Sequence, residues 1–243
     1  MPPAADNRAI ERIAARYPGR FHAGYARGKL RHDPVFAAIA DWLEGDDQPL
    51  LDIGCGLGLL GQYLRERGWR GAYHGIDLDA PKIAAAQAAA AALGGFDCVT
   101  GTVPPLPPGA GHVALVDVLH YLPHESQQAL LREAAQRLAP GGLLMIRNVL
   151  RAPGWRFRIT RAEEWLIRSL GWMRAAVRHY PTRAELEQPL RAAGLEVEVA
   201  PLWRGTPFNS YAIVARRPGS RQAGGVAAAL PARGSDTRSV ADR

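Results

Sequence analysis

The residues of this 243-residue chain best placed for chemistry begin with one phrase, Asp52-Ile-Gly54-Cys55-Gly56-Leu-Gly58, directly after the apolar run Leu50 and Leu51. Glycines at every second position between a buried strand and a helix let a ligand approach bare backbone beside the positive end of that helix. Such a bend suits a nucleotide-type cofactor, and an acid entering it suits a cationic ligand better than a pyrophosphate. Cys55 reads as a small loop filler, not a nucleophile. Asp77, with Leu78 beside it, follows at the spacing of a ribose-binding acid. Further on, Asp117, His120 and Tyr121 lie together after another apolar run. A neutral imidazole can accept a proton near pH 7, and a phenol ring can orient an acceptor or face a cation.

Two cofactors compete for the glycine bend. Gly56, Gly58 and Gly61 satisfy the dinucleotide pattern G-x-G-x-x-G, so an NAD(P)-dependent oxidoreductase is one alternative. The full phrase from Asp52 to Gly58 instead resembles motif I of the class I S-adenosylmethionine (SAM) methyltransferases, and Arg137-Leu-Ala-Pro-Gly-Gly-Leu-Leu144 resembles a late landmark of the same family. The resemblance implies a SAM-dependent enzyme that needs no metal. Its glycines admit the methionine end of SAM, Asp52 helps hold the ammonium group, and Asp77 accepts the ribose hydroxyls. Many relatives carry Gly-Asp after the third strand, where this chain has Gly101-Thr102, so Thr102 becomes the candidate on the adenine side. Asp117 joins the cofactor set, and His120 and Tyr121 are the catalytic candidates. The Asp/Asn-Pro-Pro-Tyr/Phe motif of base-modifying amino methyltransferases is absent, which argues against nucleic acid as the acceptor; an RNA methyltransferase is the second alternative.

The elements that must position these residues alternate. Strands are expected at 50–53, 72–76, 96–100, 112–118 and 143–146, with helices at 59–67, 80–93, 125–138 and 183–193. Two final strands, 196–200 and 211–214, form a hairpin that a dehydrogenase sheet lacks. The expected fold is α/β: a Rossmann-like, seven-stranded, mostly parallel sheet with helices on both faces, an antiparallel terminal strand and a helical cap. Residues 46–217 form the methyltransferase domain. Residues 1–45 supply a helical lid, with helices at 8–16 and 34–43, Asp33 as an N-cap, and Tyr25, Lys29 and His32 as lid residues; Met1–Asp6 is expected to be loose.

The cap falls at 151–183, where Trp155, Phe157, Trp165 and Trp172 are interleaved with arginines and Leu166, Leu170, Met173 and Val177 make one apolar stripe. It suits an aromatic or anionic acceptor, an acidic carrier protein or a membrane surface. The net charge of +7 does not by itself indicate nucleic acid, because six arginines against two aspartates lie from Arg216 onward, mostly in a tail (218–243) expected to be disordered. With 47% apolar residues, no signal-peptide or membrane-spanning pattern and two cysteines without zinc spacing, a cytoplasmic protein is expected. The fragments GKLRHDP (28–34), DVLHY (117–121) and GTPF (205–208) resemble methyltransferases associated with aryl polyene pigment biosynthesis. That resemblance implies a hydroxyaryl acceptor, carried on an acyl carrier protein or free.

Overall fold

The computed structural model describes residues 4–102, 111–160, 176–203 and 207–218. Leu50–Ile53 (β1) is buried at every position, as a strand covered on both faces must be. It pairs in parallel with Tyr73–Asp77 (β2) and with His112–Val116 (β4); β2 pairs with Phe96–Thr100 (β3), and β4 with Leu143–Val149 (β5). Ser210–Arg216 (β7) inserts antiparallel between β5 and Glu196–Pro201 (β6), giving the order β3-β2-β1-β4-β5-β7-β6. The sheet reverses its order at β1 and β4, the point at which open α/β sheets bind ligands beyond their carboxyl ends.

Alternate strand residues supply two cores. Leu50 packs with Leu59–Glu66 (α4) and Ala80–Ala90 (α5), while Leu51 and Ile53 pack with His124–Arg137 (α6) and Arg183–Ala192 (α7). Ala4–Arg16 (α1), Arg20–His32 (α2) and Val35–Trp42 (α3) join the first core. Ile10 and Ile13 are fully buried on the expected side of α1. One expectation fails at the start of the chain. The helix starts at Ala4, with Asp6 buried and 3.8 Å from Arg67, so residues 4–6 are not loose. Residues 20–32 form a helix despite Gly24 and Gly28, because Ala26 and Leu30 bury one face while Arg27 and Arg31 pair with Glu11 of α1. Pro34, not Asp33, takes the N-cap position of α3, and Asp33 accepts the Val35 N–H from one residue before it.

Residues 155–160 are helical and Val177 of the expected stripe is described, but residues 161–175, with Trp165, Leu166, Leu170, Trp172 and Met173, lie outside the described residues, as do residues 103–110, 204–206 and the tail beyond Pro218. Among the described residues no helix is long and apolar enough to cross a membrane.

Candidate active site

The bend after β1 is built for close approach. Gly54, Gly56 and Gly58 all take positive φ (79°, 54° and 68°), and a Cβ on Gly54 would collide with Val118 at the end of β4. Gly61 serves packing instead: a Cβ there would lie 2.5 Å from the Phe96 ring and 2.7 Å from Tyr73. The bend is tied to β2, since the Gly54 and Cys55 N–H groups donate to the Ile76 carbonyl. Asp77 completes the tie, one carboxylate oxygen accepting the Gly56 N–H (2.8 Å) and the other the Asp79 N–H (2.9 Å). A carboxylate has about four acceptor positions, so two remain for a diol. Leu78, next in the chain, is 72% exposed. Thr102 is exposed at the same sheet edge, after Gly101, whose N–H donates to the Asp77 carbonyl.

Asp52 is 2% exposed beneath the bend. One oxygen accepts the Tyr73 hydroxyl at 2.6 Å; the other finds no hydrogen-bond partner among the described residues. Burial pushes its carboxyl up to about 7, the Tyr73 hydroxyl pulls it down, and Asp77 raises it further. Cys55 and Cys98 are both buried, and their thiol contact, burial and neighbouring acids hold the Cys55 thiol well above its usual range. Cys55 is therefore no nucleophile in this setting.

Across the bend, β4 ends in Asp117 (φ 60°), the one non-glycine with positive φ among the described residues. Its two carboxylate oxygens are taken by Arg147 of β5 and by Lys29 of α2, the latter at 3.2 Å. Lys29 also pairs with Asp33 at 2.7 Å, and Arg147 reaches Asp33 at 3.6 Å. Burial opposes ionisation of Asp33, but Arg147 and Lys29 more than offset it and hold its carboxyl below the usual range. Two cations and two carboxylates thus fasten α2 to the ends of β4 and β5. Of the three lid residues named from sequence, Lys29 reaches this cluster, while Tyr25 is half exposed.

His120 sits 3% exposed on the short 3-10 turn Leu119–Tyr121. Its Nδ1 lies 2.9 Å from Asn148 Oδ1, and the Asn148 amide nitrogen donates to the Val149 carbonyl at 2.8 Å. That second bond orients the amide with its oxygen toward the ring, so His120 carries its proton on Nδ1 and its lone pair on Nε2. Burial lowers its pKa, Asn148 raises it, and the Lys29 charge lowers it, which leaves the ring neutral at pH 7. Tyr121 packs 4.1 Å from it and Tyr180 stacks at 6.3 Å, nearly parallel. Gln127, fully buried, shares the two protons of its amide nitrogen among the carbonyls of Leu119, Leu122 and His179, locking the turn against residues 176–180. Beside Tyr180, a cavity of about 360 Å³ is lined by Arg151, Phe157, Val177, Arg178 and His179.

Sequence reasoning missed Asn148, Arg147 and Gln127. The signal for the first two was a pair of polar residues inside the otherwise apolar run of β5.

A family model described as a methyltransferase domain matches residues 23–199, the whole of the bend, Asp77 and the His120 turn. The chain belongs to this family of SAM-dependent methyltransferases. The methyltransferase has no significant match among curated proteins. It is similar in structure to the magnesium protoporphyrin IX methyltransferase of Synechocystis PCC 6803 with bound S-adenosylhomocysteine (19% identity, 88% of this chain and 95% of that one, TM-score 0.60). It also resembles the mitomycin 7-O-methyltransferase (18% identity, 81% of this chain, 56% of that one, TM-score 0.61). A solved structure described as a pericyclic reaction enzyme matches too, at 23% identity and a TM-score of 0.53, over 77% of this chain and 48% of that one. At such identities the likeness shows the fold alone, and the acceptor must be argued from the site.

Proposed function

We propose that this methyltransferase acts in the cytoplasm on a hydroxyaryl acceptor of the aryl polyene pigment type, free or held as a thioester on an acyl carrier protein. The observation that carries the reading is the His120–Asn148 pair: a buried, neutral imidazole with its tautomer set so that Nε2 is the basic nitrogen. A phenolic hydroxyl is the acceptor such a base serves best, since removing its proton makes the oxygen a stronger nucleophile. SAM, when bound, supplies a methyl group on a positively charged sulfur, which needs no metal to make it a leaving group.

The residues present fit that donor. The backbone of Gly54–Gly58 would cradle its methionyl part, and the unpartnered oxygen of Asp52 is a waiting acceptor for an ammonium. Asp77 would take the ribose hydroxyls with its remaining lone pairs, while Leu78 and Thr102 would flank the base. Asp117 anchors Lys29 and so closes α2 as a lid, and its remaining acceptor positions would stay available to the cofactor. On the acceptor side, Phe157 and Tyr180 meet edge to face at 5.2 Å while Arg151 and Arg178 line the same cavity, a combination suited to an aromatic acid or the acidic surface of a carrier protein.

Holding the reactants in line can supply about 7–11 kcal/mol of the barrier, and proton removal by His120 a further factor of about 10² to 10⁴. Transfer of labelled methyl from SAM to hydroxyaryl acids and their carrier thioesters, with RNA alongside, tests the reading. Label in the aryl acceptors supports it; label in RNA alone overturns it.

A further inference from the structure

Behind the His120 turn, three metal-binding side chains converge, two from one stretch and the third some fifty residues earlier in the chain. His124 opens α6, His179 precedes α7, and Glu185 lies in the first turn of α7; one donor atom from each falls within 4.8 Å of the others. His179 Nε2 is 3.2 Å from one Glu185 oxygen, and His124 Nδ1 is 3.8 Å from the other. A tetrahedral Zn²⁺ with bonds of about 2.0–2.1 Å sets its donor atoms about 3.3 Å apart, so only a small rotation of the half-exposed His124 is required. His179 is held for the task by its backbone: its N–H donates to the His120 carbonyl (3.3 Å) and its carbonyl accepts from Gln127 (2.8 Å).

We propose that His124, His179 and Glu185 bind one borderline divalent cation, Zn²⁺ by preference, with a fourth position left to water. Two imidazole nitrogens and a single carboxylate select a transition ion over Mg²⁺ or Ca²⁺, which want oxygen donors. Two features keep the affinity modest. The N-terminal ends of α6 and α7 carry partial positive charge, and Arg151 stands 3.6 Å from Glu185 as a competing cation. The ion would act as a removable staple. It would join the helix after the His120 turn, the stretch whose N–H groups bond the His120 carbonyl, and the start of α7. His124 comes from a different element than His179 and Glu185, which is why no ligand spacing showed in the sequence.

Because His179 also lines the cavity beside Tyr180, the proposal is tested without turnover. The tag-free full chain, stripped with a chelator, is titrated calorimetrically with ZnCl₂, and Co²⁺ is added separately to read its visible absorption. One saturable equivalent of Zn²⁺ is expected, with Co²⁺ bands of a low-coordinate nitrogen–oxygen site and no heat from MgCl₂. His124→Ala, at an exposed position, should weaken Zn²⁺ at least tenfold and abolish the Co²⁺ bands, with SAM affinity unchanged; His179→Gln is the second variant. Absence of saturable Zn²⁺ binding, or full affinity in both variants, overturns the proposal.

Discussion

Asp52→Asn should remove a pH dependence of stability that the wild-type protein carries in its core. An aspartate whose folded pKa rises from 3.8 to about 7 binds its proton more tightly folded than unfolded. Its contribution is therefore fully present below about pH 4 and is lost as pH climbs through 7. At about 1.4 kcal/mol per pH unit the full loss is about 4 kcal/mol, of which about 3 kcal/mol falls between pH 5 and pH 8. The amide introduced by Asp52→Asn would keep the acceptor for the Tyr73 hydroxyl and has no charge to bury. Buried His112 and His120 pull the other way, because their lowered pKa values cost stability as pH falls, so the informative quantity is the difference between the two proteins. Urea unfolding at half-unit steps from pH 5 to pH 8 gives it. The variant should gain on wild type by about 3 kcal/mol across that range; parallel curves would show that Asp52 is ionised in the fold throughout, and the account of its burial would be wrong.

Other outcomes follow from the same geometry. If the unpartnered Asp52 oxygen receives the SAM ammonium, SAM affinity should strengthen as pH rises from 6 to 8 in wild type and stay flat in Asp52→Asn, as calorimetry would show. Asp77→Ala removes two backbone hydrogen bonds as well as the ribose acceptor, so SAM dissociation constants should rise at least tenfold and stability fall by about 1–3 kcal/mol; equal affinity would end the ribose assignment. His120→Gln should lower kcat by about 10²–10⁴ with little change in SAM affinity, and the acid limb of the wild-type pH–rate profile should lie below 6.5, where the neutral ring is lost. Lys29→Met should move the His120 titration, followed by NMR of the ring protons, to higher pH, because the Lys29 charge is one of the influences holding it down.

The fold could be read from the chain because its signals are local. The buried run of β1, the alternate glycines, the Pro-Gly-Gly stop after α6 and the closing hairpin each name an element within a few residues. The first two helices were harder: Gly24 and Gly28 hide α2, whose reason for being helical is Ala26 and Leu30 meeting a core built from distant segments. For the site, Asp77 and His120 stood out as single residues at strand ends. Their partners did not, because Asn148, Arg147 and Gln127 act only across elements that pairing brings together. Asp117 shows the limit most plainly. Its position after β4 suggested a ligand contact, and only the packing of α2 reveals that it also pairs with Lys29 and Arg147.

The central claim is that the glycine bend and Asp77 hold an adenosyl sulfur compound. Calorimetric titration of the full chain with S-adenosylhomocysteine and, separately, with NAD⁺ tests it most directly. One-to-one binding of the homocysteine compound, weakened at least tenfold by Asp77→Ala, with no heat from NAD⁺, is the expected result. Saturable NAD⁺ binding that Asp77→Ala weakens, with no uptake of the adenosyl compound, would contradict it.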